Sequence, residues 1–387
     1  MIRRKTGTFW AGLAAITIAA ALAPRASNAG VIVPEYQSFP GATVNLILDF
    51  DGDTTAQYGP YFPGTTPAYS IDEDLNNFSA AELDNMHRIW QSVSEKYSPF
   101  NVNVTTVNPG AGNRMRIVIG GAGAWLGEVA GGVSALTAYM NPGLPNLAFV
   151  FPDNLATGNP KFVAEAAAHE AGHAFGLKHQ SLYDASQNKL REYHPGDANK
   201  APIMGISYAS QRAVWWRGGS TDGAGVIQDD MLKLSVFGTQ QPNFGYRDDD
   251  HASTVAAAEP IAVDESFSLS GFGIIEQTSD SDYFSFTTPG GHAYIAADVA
   301  PFGAMLDLTM ILYDAIGNPL FSAASESLGE RLHVPLGAGS YVLGITSAGQ
   351  YGDVGQYFLS GSAVPEPGCA AAVLLLLAPA FCRRRVR

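Results

Sequence analysis

The chain has 387 residues, 46% of them hydrophobic, enough for two ordinary domains with cores of their own. Its formal charge is −14. Eight of the 22 basic residues and one of the 36 acidic ones fall in the first 29 and last 24 positions, which leaves 14 basic and 35 acidic residues, or −21, for the body between them. A body this acidic argues against nucleic acid as a partner and is compatible with calcium sites.

The first segment is not expected to belong to any fold. Arg3, Arg4 and Lys5 precede an apolar run from Phe9 to Leu22, and Ser27-Asn28-Ala29 offers a small-residue cleavage site. Residues 1–29 therefore read as an export signal, the apolar run being short for a bilayer span and broken by Pro24 and Arg25.

Mixed α/β material follows over residues 30–247. Val44 to Phe50 reads as a buried strand that runs into Asp49, Asp51 and Asp53, a solvated strand end with a calcium site as the alternative. Ser79 to Tyr97 reads as an amphipathic helix with Leu83, Met86, Trp90, Val93 and Tyr97 on one face, opened by a capping box between Ser79 and Glu82. Val102 to Val107, Met115 to Ile119, Val133 to Tyr139 and Leu147 to Phe151 are strand-like. Helices are expected from about Lys161 to Phe175 and from about Val226 to Val236, and the alternation points to a mixed sheet with helices packed on it.

The chemistry is concentrated in His169-Glu170-Ala171-Gly172-His173-Ala174-Phe175-Gly176-Leu177-Lys178-His179. Positions i and i+4 share one face of a helix, so His169 and His173 can address one ion, with Glu170 beside it. Gly176 allows the positive φ that ends the helix and returns His179 as a third ligand. Three nitrogens and one open position describe a catalytic zinc site, in which Glu170 serves as general base toward a water. A bare His-Glu-x-x-His is a weak signal, whereas its extension through Gly176 to His179 is a specific one.

Further residues are weighed against plainer roles. His194, between this string and Met204, is either a loop histidine with a structural hydrogen bond or a contact to substrate or transition state. Of Trp215 and Trp216, one is expected in the core and Trp216 is a candidate wall of a specificity pocket. Asp248, Asp249 and Asp250 belong to a Pro- and Gly-containing linker near Gln240 to His251. Asp249 and Asp250, with Asp280 and Asp282, could alternatively bind calcium at the junction.

Beyond the linker, residues 248–363 show short alternating strands separated by turns, including Tyr283 to Phe286, Leu308 to Tyr313 and Tyr341 to Ile345, the pattern of an all-β sandwich. Residues 364–387 begin Val364-Pro365-Glu366-Pro367, continue with an apolar stretch from Ala370 to Phe381, and close on Arg383, Arg384 and Arg385. The stretch is short for a permanent span, so transient membrane attachment followed by removal is expected. Both cysteines, Cys369 and Cys382, lie here, so any metal in the body must be held by His, Asp or Glu.

The zinc string resembles the signature of the metzincin metallopeptidases. That resemblance implies a methionine-bearing turn downstream, and Pro202-Ile203-Met204-Gly205 fits it, with Met204 as a floor and not a ligand. Some metzincins carry a tyrosine two residues beyond the methionine; Ile206 stands there in this chain, and Tyr208, four beyond, is the candidate transition-state helper. Leu46 to Gly52, Ile89 to Thr106 and Pro202 through Trp216 to Asp230 extend the likeness over residues 43–247 to a reprolysin-like group of exported bacterial metallopeptidases. It implies an α+β catalytic domain with a mixed sheet, helices and an irregular lower lobe, and an edge strand, for which Gly132 to Tyr139 is the candidate, that pairs with extended substrate.

The second half resembles the bacterial pre-peptidase C-terminal domain, notably at Asp280 to Phe286 and Gly337 to Leu343, which implies an accessory role. The tail is similar to the PEP-CTERM sorting signals that exosortase-type systems process in certain Gram-negative bacteria. Together these resemblances imply an exported, zinc-dependent endopeptidase of the cell surface or surroundings, acting on proteins or peptides. Alternatives are a surface binding or adhesion protein with a relict zinc site, which an intact Glu170 disfavours, and a zinc hydrolase of non-protein amides.

Overall fold

The computed structural model describes residues 32–72, 74–110, 112–236, 244–263 and 268–364. The expected export signal, both cysteines, the sorting tail beyond Val364 and residues 240–243 of the expected linker lie outside the described residues.

The first half is built on a five-stranded sheet in the order Val102–Thr105, Val44–Asp49, Arg114–Ile119, Leu147–Val150, Gly132–Ser134. Four strands run parallel and the last, Gly132–Ser134, pairs antiparallel at the edge. The parallel strands are nearly continuous apolar runs because both faces are covered. On one face, Leu46 and Leu48 share a core with Met86, Ile89 and Val93 and with Val163 and Ala167. On the other, Val118, Leu147 and Phe149 pack against Tyr58, Tyr61 and Trp125.

Helix α1, Ala80–Tyr97, starts where the capping box puts it: Ser79 N donates to Glu82 Oε2 at 2.8 Å while the Ser79 side chain accepts from Glu82 N. Helix α2, Pro160–Ala174, is capped by Asn159, whose Oδ1 accepts from Lys161 N at 3.0 Å, with Pro160 at the first helical position. The Tyr97 hydroxyl ties the helices together by donating to Ala168 O at 3.1 Å.

Two expected elements differ. Helix α3 spans only Asp230–Val236, and the residues before it form a strand, Gly223–Asp229, that turns back on Arg217–Ser220. Glycines and the β-branched Val226 and Ile227 favour extension there, and Asp229 Oδ1 accepts from Leu232 N at 2.9 Å, fixing the helix start. The strand expected over Val133 to Tyr139 stops at Ser134. The Tyr58 hydroxyl takes the next amide, Ala135 N, at 2.8 Å, and Thr137 at φ 61° leads into a 3-10 turn, Ala138–Met140.

The second half is a sandwich of two five-stranded sheets. One has Ser281–Thr288, Gly339–Ser347 and Leu308–Asp314 at its centre; the other has Ser268–Ile275, Gly355–Val364 and Gly291–Val299. Phe284, Ile295, Met310, Leu312, Leu343 and Tyr357 fill the space between them. The strand Pro319–Ala323 escaped the sequence reading because it is a largely exposed edge with no buried alternation.

The sandwich is anchored on the first half. Buried Glu95 of α1 accepts from Met305 N at 3.3 Å and from Gln356 N and Nε2 at 3.1 and 3.0 Å. Buried Arg212 donates to Met305 O and Asp353 Oδ1, both at 2.9 Å, and the Tyr351 hydroxyl donates to Asp229 Oδ1 at 2.6 Å. The connecting segment also adheres to the first half: Tyr246 stacks on Phe100 at 5.4 Å and Arg247 lies 3.8 Å over the Phe39 ring.

Candidate metal centre

Helix α2 carries His169 and His173 on one face and ends at Ala174. Gly176, at φ 91°, donates to His173 O and Leu177 N donates to Gly172 O, both at 2.9 Å, the paired bonds of a left-handed helix stop. The chain thereby doubles back and presents His179 to the other two imidazoles, with ring centres 4.7, 4.8 and 5.3 Å apart.

Each imidazole is held from behind through Nδ1. His169 Nδ1 meets Ile203 O at 2.7 Å, His173 Nδ1 meets Leu177 O at 2.7 Å, and His179 Nδ1 meets Glu192 Oε1 at 2.8 Å. Carbonyl and carboxylate oxygens only accept, so Nδ1 must carry the proton in each ring and every Nε2 of a neutral ring is a bare lone pair. Those of His173 and His179 stand 3.0 Å apart, close to the ~3.3 Å separation of two nitrogens on a tetrahedral zinc, and all three histidines offer ligand nitrogens within 4.8 Å of one another. Burial pushes His169 well down and His173 to about 4, so both are neutral ligands at physiological pH. Three converging lone pairs repel without a cation between them, and an all-nitrogen set suits zinc among the common biological ions.

Glu192 was not singled out in the sequence. It is brought under His179 by the small hairpin of Leu182–Tyr183 and Lys189–Arg191, a fold-back with no periodic signature. Burial would raise its carboxyl, but bonds from Lys189, Thr221 and His179 outweigh that and hold it at about 2. It is therefore an anion that fixes the His179 tautomer and enriches the ring's donor power.

Glu170 is 7% exposed, and burial pushes its carboxyl up to about 8 before any cation is counted. Met204, fully buried, lies beneath the same turn of α2: a Cβ on Gly172 would meet its Sδ at 2.5 Å, so the glycine makes room for the methionine. A cleft of about 310 Å³ opens over this assembly, lined by Glu128, Gly131, Gly132, Tyr193, Ile206 and Tyr208 together with His169 and Glu170. Tyr208 stands in the wall, stacked on Phe162 at 4.7 Å.

His194 and Trp216 are not among the residues lining this cleft. His194 Nδ1 accepts from Gly196 N at 2.9 Å, the structural hydrogen bond that is one of its two readings, and its ring faces Trp216 at 5.5 Å. Trp216, the candidate pocket wall, is contacted by His194 and by Lys200, whose ammonium sits 5.9 Å over its ring. Trp215 is fully buried and donates to Lys96 O at 2.7 Å.

The acidic residues divide. Asp49 and Asp53 clamp Arg116 at 2.7 and 2.6 Å, so a guanidinium occupies the place considered for calcium. Asp249, Asp280 and Asp282 come together, as do Asp249, Asp250 and Glu276, in one cluster on the sandwich. Glu276 was not foreseen. It is 3% exposed, and neither carboxylate oxygen has a hydrogen-bond partner; Asp282, fully buried, has one unpartnered oxygen and accepts from the Tyr357 hydroxyl through the other. Burial first, then the carboxylates of Asp250 and Asp280, pushes Glu276 up to about 10, and burial raises Asp282 to about 8.

No protein-family model and no curated protein matches the chain. Among solved structures, similar chains include the pre-peptidase C-terminal domain of collagenase from Bacillus anthracis, at 16% identity and TM-score 0.23, over 27% of this chain and 94% of that one. Aeromonas hydrophila PliG, a periplasmic lysozyme inhibitor of g-type lysozyme, matches at 9% identity and TM-score 0.22, over 27% and 94%. The Yersinia pseudotuberculosis-derived mitogen matches at 15% identity and TM-score 0.21, over 26% and 87%.

Proposed function

We propose that this chain is an exported, metzincin-like zinc endopeptidase, with His169, His173 and His179 holding the metal and Glu170 acting as general base. The observation that carries the reading is the set of Nε2 lone pairs converging beside a buried carboxylate at the floor of an open cleft. A zinc ion there supplies Lewis acidity toward a carbonyl and a lowered pKa for water.

The chain's own residues supply the rest. The edge strand Gly132–Ser134 borders the cleft and offers backbone groups to an extended peptide, leaving side-chain choice to the pocket walls. Glu170 accepts the proton of the attacking water and returns it to the departing amine. Tyr208, which also lines the cleft, contacts the bound peptide. Calcium binds as a structural ion among Asp249, Asp250, Glu276, Asp280 and Asp282, a role supported by the unpartnered oxygens of Glu276. Export through residues 1–29 and exosortase-type sorting through the tail deliver the enzyme to the cell surface or beyond.

The test is cleavage of casein or a denatured proteome by purified protein, with products read by mass spectrometry. Internal peptide cuts that vanish with a chelator and with Glu170→Gln, while Glu170→Gln still binds one equivalent of zinc, are the expected result. Well-folded protein that takes up no transition metal, or equal products from wild type and Glu170→Gln, would sink the reading.

A further inference from the structure

We propose that Tyr193 is a second catalytic residue of this site, its hydroxyl donating a hydrogen bond to the carbonyl oxygen of the bound peptide as that oxygen takes on negative charge. The inference rests on the peptidase reading and deepens it. Tyr193 directly follows Glu192, so the carboxylate bonded to His179 Nδ1 and a ring packed against the same imidazole come from neighbouring positions of one segment. The Tyr193 ring centre lies 4.3 Å from that of His179 and 6.1 Å from that of His169, and the residue lines the cleft together with Glu170.

Its hydroxyl is also free. The hydroxyls of Tyr58, Tyr69 and Tyr97 each donate to a backbone carbonyl, whereas that of Tyr193 has no hydrogen-bond partner among the described residues, and the side chain is 42% exposed. Three other side chains near the imidazoles have no free donor to offer. Lys178 is paired with Asp222 at 2.6 Å, His194 turns toward Trp216, and Ile206 has no donor to give. The Tyr208 hydroxyl also has no hydrogen-bond partner among the described residues, but its ring stacks on Phe162 and, unlike that of Tyr193, makes no ring contact with the imidazoles. A phenol left unpartnered beside His169 and His179, in the cleft that Glu170 also lines, is placed to meet charge that develops during reaction and not in the resting state.

The step balances without a proton from the tyrosine. The water oxygen bonds to the carbonyl carbon, the carbon–oxygen π pair moves onto the carbonyl oxygen, and Glu170 accepts the water proton. Tyr193 keeps its own proton and only donates a hydrogen bond. The π bond then re-forms, the carbon–nitrogen bond breaks, and the amine leaves with the proton from Glu170.

The experiment compares wild type with Tyr193→Phe in the full chain, using one internally quenched peptide, a phosphinic peptide analogue of the tetrahedral state, and zinc titration. Loss of one such donor costs about 10²–10³ in kcat elsewhere, so kcat should fall about 100-fold with KM within about threefold. Calorimetry should show phosphinate affinity falling alongside kcat while the zinc Kd stays unchanged. Unaltered kcat and phosphinate affinity would overturn the assignment. A loss of zinc affinity that accounts for the loss of rate would also overturn it, by making Tyr193 a support for His179. If wild type cuts no peptide and binds no phosphinate, both this inference and the peptidase reading fall; if wild type cuts and the variant equals it, this one alone does.

Discussion

Gly132 and Glu170 touch at the sheet edge: a Cβ on Gly132 would stand 2.7 Å from Cγ and 2.8 Å from Oε1 of the glutamate. The same Cβ would meet Phe149 O at 2.8 Å, so it has backbone on one side and the Glu170 carboxylate on the other. Gly132→Ala must therefore push either the strand or the carboxylate. Because a misplacement of about 1 Å can cost about 10²-fold in rate, kcat on a quenched peptide should drop by at least about tenfold, with zinc content and circular dichroism unchanged. Retention of full kcat would show that Glu170 does not need the position it holds.

Much of this arrangement could be read from residues alone. The i, i+4 histidines, the capping box at Ser79 and the stop at Gly176 are local rules, in which a few neighbouring residues decide the geometry. Glu192, Tyr193 and Glu276 were invisible because each acquires its meaning by chain reversal or by pairing across a sheet, which no short-range period encodes. The anchoring of the sandwich on Glu95 and Arg212 was equally hidden. A charged residue, whether on an amphipathic helix like Glu95 or on a short strand like Arg212, reads as solvent-facing until the partner domain buries it.

Glu192 supports His179 through a single charge-assisted bond at 2.8 Å, and it is the only carboxylate among the Nδ1 partners of His169, His173 and His179. Outer-shell partners of this kind usually carry about 10–100-fold in metal affinity. Glu192→Ala should weaken zinc by about that factor in competition with a chromophoric chelator, and Glu192→Gln, which keeps an accepting oxygen but loses the charge, should fall between. Equal affinities in all three proteins would mean that the His179 ring is fixed by packing alone.

The acidic cluster ties stability to both pH and calcium. In the cation-free protein Glu276 titrates at about 10 and Asp282 at about 8, against roughly 4.3 and 3.9 for the unfolded side chains. A carboxyl whose folded pKa is raised binds more protons folded than unfolded, so its contribution is complete below the unfolded value and is lost as pH rises through the folded one. In chelator, the melting temperature should accordingly decline from about pH 5 to about pH 9. His251 and Arg247, which face Asp250, hold down the rise of that one carboxyl, while the raised pKa of His251 itself adds to the decline. Calcium must displace those protons, so its stabilisation should be small near pH 5 and grow toward pH 8, reaching about 2.7 kcal/mol at a hundredfold excess over Kd. Glu276→Gln removes the largest of these shifts and should flatten the pH slope in chelator while cutting the calcium response. A melting curve indifferent to calcium at pH 8 in the wild type would leave the cluster as a set of protonated carboxyls and remove the ion from the assignment.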